Sequence, residues 1–367
     1  MKEEKHTCDI CHEERDLSEL TYFDESYLCE DCLRRETFIC RDCGDRHWND
    51  DSADGDLCQT CYDEDYVRCE RCDAVIHYDD ACYHEDEEYH DYPYCRDCFD
   101  MDEIIHDYYY KPEPIFYGDG PRYLGVELEL DDGGENEFCA SKLLEIANNG
   151  CERMYIKHDG SLDDGFECVT HPMTLDYHIN QMPWKAILNK AVAKGYLSHQ
   201  AGTCGLHVHI SRNALGVNYE EQEATIAKIL YFYEKFWNEI LTFSRRTESQ
   251  AEHWARRYGG GIINPKETLK HAKNSHMGRY AAVNLENEAT IEMRIFRGTL
   301  KYNTFIATLQ MVDEICKVAI SLSDEFMQGL TWLDFVKGIA DGKQELINYL
   351  KEKRLYVNEP IRNEVEI

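Results

Sequence analysis

Long apolar runs, an excess of positive charge and a leader-like first segment are all missing from these 367 residues, and proline is scarce at 8. No stretch approaches the roughly 18 consecutive apolar residues of a spanning helix. With a mean hydropathy of -0.61, a membrane transporter is excluded. Lys and Arg number 39 against 72 Asp and Glu, a net charge of -33. Binding to nucleic-acid phosphates requires the opposite sign, so a nucleic-acid partner is discounted. Met1 is followed by Lys-Glu-Glu-Lys-His-Thr rather than a basic segment and an apolar run, so a cytoplasmic location is expected. At roughly 150 residues per domain, the length suits two or three domains.

Cysteine is abundant and unevenly placed. Of 18 cysteines, 13 precede residue 100, and twelve of those form six C-x-x-C pairs: Cys8/Cys11, Cys29/Cys32, Cys40/Cys43, Cys58/Cys61, Cys69/Cys72 and Cys95/Cys98. Two cysteines at that spacing wrap a tight turn around one metal with both thiolates inward, and two such turns complete a tetrahedral structural zinc site. Taken in order, the pairs give three four-cysteine sites with internal gaps of 17, 14 and 22 residues, hence about three Zn2+. The first cysteines, at 8, 40 and 69, mark a repeat of about 30 residues. Each second pair follows an anchor residue, Leu28, Leu57 or Tyr94. A disulfide scaffold would need a secretory context. The pairing itself stays open, because Cys29/Cys32 and Cys40/Cys43 are close enough for the interleaving of LIM or RING modules. Cys82, His84 and His90 also lie inside the third gap. Acidic charge concentrates here too, with 35 acidic and 10 basic residues up to position 107, a net of -25 that leaves -8 for the rest. A basic protein surface is the natural partner of such a module.

Residues 101–121 read as a linker, with an acidic-aromatic cluster at Asp107 to Tyr110 and with Pro112, Pro114, Gly118, Gly120 and Pro121 stopping regular structure. Beyond it the pattern is mixed. Strands are expected at 122–130, 167–170, 206–211, 280–285 and 290–297, and helices at about 139–149, 176–195, 219–245, 302–322 and 331–351.

Three of the strands alternate in the same way. Val126-Glu127-Leu128-Glu129-Leu130 puts two glutamates on one side, Leu206-His207-Val208-His209-Ile210 two histidines, and Ile291-Glu292-Met293-Arg294-Ile295 a glutamate and an arginine. The aliphatic sides require helices over them. Glu127, Glu129, Glu167 and His207 are oxygen and imidazole ligands suited to Mg2+ or Mn2+, while Arg279, Arg294 and Arg297 suit phosphate oxygens. A nucleotide polyphosphate is the natural guest, although neither G-x-x-x-x-G-K-[ST] nor G-x-G-x-x-G occurs, and Gly259-Gly260-Gly261 reads as a flexible loop.

Gly125-Val126-Glu127-Leu128-Glu129, Thr203-Cys204-Gly205-Leu206-His207-Val208-His209-Ile210-Ser211 and Thr290-Ile291-Glu292-Met293-Arg294 together resemble the amidoligase family of carboxylate–amine ligases, whose fold is that of glutamine synthetase. The resemblance covers roughly 122–325. It implies an α+β fold with a glutamine-synthetase-like antiparallel sheet lined by the active site. Three tandem zinc-binding modules at 1–100 and a linker at 101–121 precede that amidoligase domain at 122–367. It also implies an ATP-dependent enzyme that activates a carboxylate as an acyl phosphate and joins it to an amine, in an amide or isopeptide bond. Either substrate could belong to a protein or peptide. By motif, Glu127 would bind one metal with His207 and Glu292, Glu129 the other, and Glu167 would add a ligand. His209 would lie near the ATP phosphates, and Arg279 and Arg294 on the transferred phosphoryl group; Asn284 matches in position only. Asp159, in His158-Asp159-Gly160-Ser161, is read as a substrate contact or base, or simply as a turn. The chain departs from glutamine synthetase in lacking its ammonia-site residues and its β-grasp domain. Two rival readings are a zinc hydrolase using His207 and His209, and a non-catalytic adaptor working through its zinc modules.

Overall fold

The computed structural model describes residues 5–83, 92–99, 104–259 and 264–357, and the chain divides into two compact units, Met1–Asp102 and Glu103–Ile367. In the first unit a pattern of hairpin, hairpin and short helix repeats. Lys5–Thr7 pairs with Glu14–Asp16, Leu20–Phe23 with Ser26–Cys29, and the helix Glu30–Glu36 follows. The second module repeats this with Thr37–Ile39 on Arg46–Trp48, Ser52–Asp54 on Leu57–Cys58, and the helix Gln59–Asp65. The third has Tyr66–Arg68 on Val75–His77 and the helix Arg96–Phe99.

One C-x-x-C pair sits in each first-hairpin turn and the other opens the helix. The modules assemble in sequential order, giving clusters of Cys8, Cys11, Cys29 and Cys32, of Cys40, Cys43, Cys58 and Cys61, and of Cys69, Cys72, Cys95 and Cys98. Sulfur–sulfur distances of 3.8 Å for Cys11–Cys29 and Cys72–Cys95 are far too long for a disulfide. They match the edge of about 3.8 Å of a tetrahedron with Zn–S bonds of about 2.3 Å. Backbone N–H groups also point at sulfur, Cys29 N to Cys8 Sγ at 3.3 Å and Cys58 N to Cys40 Sγ at 3.5 Å. Burial opposes ionisation of Cys8, yet N–H donors from Cys11, Cys29 and Ile10 bring its pKa down to about 6. Burial and the neighbouring sulfurs push Cys32 up to about 12. Four sulfurs converging at these distances suit a dication between them. Cys82 is buried but belongs to no such cluster among the described residues; His84 and His90 lie outside them.

The second unit is built on one mixed seven-stranded sheet: β1 (Ile105–His106), β2 (Leu124–Leu130), β3 (Met154–Lys157), β4 (Phe166–Thr170), β5 (Leu206–Ser211), β6 (Val283–Asn284) and β7 (Thr290–Met293). Their spatial order is β1-β3-β4-β2-β5-β7-β6. Every neighbouring pair is antiparallel except β1 with β3, which is parallel. The sheet is thus mixed rather than wholly antiparallel, because residues 104–121 pack onto this unit instead of forming a free linker. β1 adds an edge strand, and Tyr117 bonds to the chain at Pro172 and Thr174.

The helices of this unit include α1 (Glu137–Asn148), α2 (Leu175–Asn180), α3 (Trp184–Ala193), α4 (Tyr219–Lys235), α5 (Trp237–Ser244), α6 (Glu248–Trp254), α7 (Pro265–Asn274), α8 (Tyr302–Ser321), α9 (Asp324–Gly329), α10 (Trp332–Lys337) and α11 (Gln344–Glu352). The expected helix at 176–195 is split where Pro183 removes a donor. The one at 331–351 breaks around Gly338 and Gly342, and that at 219–245 kinks at Phe236. The core is one continuous cluster. Val126, Leu128, Val208, Ile291 and Met293 on one face of the sheet meet Trp184, Ile229, Phe305, Leu309 and Ile315 from the helices. Among the described residues no helix is long and apolar enough to cross a membrane.

Candidate functional site

The opposite face of the sheet is polar because register sorts it. Glu127 stands across from His207, Glu129 from Glu167, Lys157 from Glu167, and His209 from Glu292. Cross-strand partners share a face, so these groups converge. The ligand atoms of Glu127, His207 and Glu292 lie within 4.8 Å of one another, and so do those of Glu129, Glu167 and His207. His207 stands between the two triads, with Nδ1 at 3.4 Å from Glu127 and 3.6 Å from Glu292, and Nε2 at 3.7 Å from Glu129. The turn into β5 makes room for this. A Cβ on Gly205 would collide with the His207 ring and crowd the Glu129 carboxylate, to which the Gly205 N–H donates.

The electrostatics follow from burial and crowding. Burial pushes Glu127 upward, but His209, 3.0 Å away, and His207 outweigh it and hold its carboxyl well below the usual range. Glu167 goes the other way: burial and the nearby Glu127 raise it well above a normal carboxylate, although Lys157 lies 3.1 Å away. Burial also raises Glu129. Four carboxylates on one buried face call for cations, and this oxygen-rich set with one shared imidazole fits Mg2+ or Mn2+.

A cavity of about 850 Å3 opens over this face. Its walls include Glu127, Glu129, Glu167, His207, His209, Glu292, Arg279, Arg294 and Asp159, but not Arg297. The strand ends at Met293, and the chain then bridges Gly205 across from Arg297, so alternation no longer aims that side chain at the cavity. Arg294 donates to Glu292, whose other oxygen accepts from Asn284 Nδ2 at 2.8 Å. Asp159 accepts from Ser161 N and Oγ at 2.7 and 2.6 Å, a local turn at the rim.

The sequence reading missed several wall residues. Arg246 is 6% exposed; its Nε donates to the Ile295 carbonyl at 3.1 Å and its Nη1 has no partner among the described residues. Burial lowers its pKa to about 10. Thr203 is tied down by Asp131, which is 1% exposed and also accepts from the N–H groups of Asp163 and Asp164. That carboxylate thus clamps the loop carrying Asp159 to the start of β5. Lys157, Tyr108, Tyr109 and Trp254 also line the wall. The Lys157–Glu167 pairing was detectable only as alternation in a short Met-Tyr-Ile-Lys run. The others come from loops and helix ends that carry no periodic signal.

A second cavity of about 870 Å3 adjoins the first and shares Glu286 with it; Ser211, Arg212, Tyr219, Lys273 and Leu285 are among its walls. His207, His209 and Ser211 alternate along β5, so the strand leads from one cavity to the other.

Residues 145–316 match the family model described as "Putative amidoligase enzyme". Comparison with curated proteins gives no match. The matched stretch carries Glu167, His207, His209, Arg279, Glu292 and Arg294, and supports a ligase function for this unit.

Proposed function

We propose that a unit matching the amidoligases and built around two carboxylate triads on a shared histidine is an ATP-dependent carboxylate–amine ligase. The observation that carries this is the pairing of those triads with cavity arginines that have spare charge. Glu127, His207 and Glu292 would hold one divalent ion, and Glu129 and Glu167 the other. Bound there, Mg2+ would neutralise the phosphate charge and align the polyphosphate.

The adjoining cavity takes the nucleoside, and Ser211 marks the passage to it. Arg279 and Arg294 face the γ-phosphoryl group, and His209, held by Glu127 and Thr290, stays beside it. Arg246, whose buried Nη1 has no partner among the described residues, suits the carboxylate substrate. An oxygen of that carboxylate forms a bond to the γ-phosphorus while the bond to the β-phosphate oxygen breaks, releasing ADP. The amine then attacks the acyl carbon of the acyl phosphate, the acyl–oxygen bond breaks to release inorganic phosphate, and the amine proton leaves to Asp159 or water. The His-x-His hydrolase is disfavoured, because among the described residues no three-ligand group contains both His207 and His209.

Release of ADP measured against a panel of carboxylates and amines tests the reading. Mg2+-dependent turnover with one pair supports it; a protein that binds no nucleotide in the presence of Mg2+ refutes it.

The acidic first unit is proposed to recruit a basic protein substrate by long-range attraction. Deleting residues 1–102 should then raise the KM for a basic protein substrate at low ionic strength, and the difference should shrink as salt approaches 0.1 M, where the Debye length is about 10 Å. An unchanged KM at low salt removes recruitment from the account.

A further inference from the structure

Tyr108 lies outside the stretch that matches the amidoligases, in the turn that follows β1, yet its side chain reaches the cavity wall. The turn is firmly built. The N–H groups of Tyr109 and Tyr110 donate to the Asp107 side chain and carbonyl at 2.7 and 3.1 Å. The Tyr110 ring stacks on His106 at 3.6 Å and meets Tyr155 edge-on. From this base Tyr108 bridges two cations that come from opposite ends of the sheet. Its ring lies 5.5 Å from Lys157 Nζ, and its hydroxyl accepts from Arg279 Nη1 at 2.5 Å. Both contacts use electron-rich parts of a neutral side chain.

Arg279, like Arg246, is a cavity cation that no carboxylate holds among the described residues. Lys157 and Arg294 are each paired with a carboxylate, whereas the guanidinium of Arg279 bonds only to the hydroxyls of Tyr108 and Tyr280 among the described residues. A phenol orients a guanidinium without cancelling its charge, and a carboxylate in the same place would compete with any incoming anion. We propose that Tyr108 is a positioning residue of this site, holding Arg279 across the cavity with its charge unspent for a phosphate group of the bound substrate. The inference rests on the ligase reading for the identity of that phosphate, a phosphate of ATP.

Tyr108→Phe keeps the ring over Lys157 and removes only the acceptor. Calorimetry on the full chain, with Mg2+ and either a non-hydrolysable ATP analogue or inorganic tripolyphosphate, gives the test. Tyr108→Phe should weaken both probes about tenfold with the melting temperature unchanged, and Arg279→Ala should weaken them further. In the Arg279→Ala background, Tyr108→Phe should have no additional effect, because the phenol acts only through that guanidinium. Affinity equal to the parent in Tyr108→Phe, or the same loss in both backgrounds, overturns the proposal and leaves the ligase reading intact. If the parent binds tripolyphosphate but not the ATP analogue, the ligase reading fails while the tripolyphosphate cycle still decides the role of Tyr108. If it binds neither, both fall.

Discussion

Alanine at Glu127, Glu129, His207 or Glu292 should abolish tight Mg-ATP binding and ADP release, and Glu129→Ala, which removes a carboxyl that burial raises, should do so without lowering the melting temperature of the ligand-free protein. The reason is on the polar face itself. Four carboxylates crowd one another there, Glu167 being driven well above the usual range by burial and by Glu127, so removing one acid relieves repulsion. The neighbouring positions should behave oppositely. Leu128 and Met293 are 1% and 0% exposed and face the helices. Leu128→Ala and Met293→Ala should cost about 2–5 kcal/mol, and Val208→Ala less, while whatever stays folded keeps its activity. Arg294→Ala separates the two kinds of polar residue. It should still bind divalent metal but lose phosphoryl transfer in single-turnover ADP release. Glutamate variants that bind and turn over Mg-ATP like the parent would end the ligase assignment, however well the cavity is formed.

Removing the metal should unfold the first unit alone. Its apolar content is small: around the first cluster Leu28 is fully buried with Leu20, Phe23, Leu33 and Trp48 packed beside it, and around the second the buried residue is Leu57. Cores of that size leave most of the folding free energy to the ion, on the scale of about 10–16 kcal/mol found for structural zinc in small domains. The second unit owes nothing to these cysteines. Its core runs continuously from Leu124 through Leu350 without a cluster thiol. A strong chelator should therefore abolish the protected amides of the first unit while far-ultraviolet circular dichroism keeps the helical signal of the second. Elemental analysis should give about three zinc ions per chain, all retained by a fragment ending near residue 102. Zero or one would show that the tetrahedra do not bind as their geometry requires.

What the sequence by itself determined is what depends on short, regular spacing. C-x-x-C brings two sulfurs to one turn whatever surrounds it, so the twelve paired cysteines and three modules were legible; the sequential pairing needed the hairpins to be seen in place. Alternation with period two decides the face of a strand residue before the partner strand is known, so Glu127, Glu129, His207, His209 and Glu292 could be grouped from their own neighbours. The same rule failed at Arg297, because it lapses where the strand ends, at Met293. Only the tertiary structure decided the rest. Arg246 follows a helix end, Tyr108 lies in a turn read as linker, and Asp131 clamps two loops that are distant in sequence. Arg246 and Tyr108 reach the cavity by paths that carry no period. The parallel pairing of Ile105–His106 with β3 was likewise set by which sheet edge was free to accept it. Local spacing determines which groups a strand or a turn presents. Which loops meet above them depends on long-range packing, which leaves no mark in the spacing of the chain.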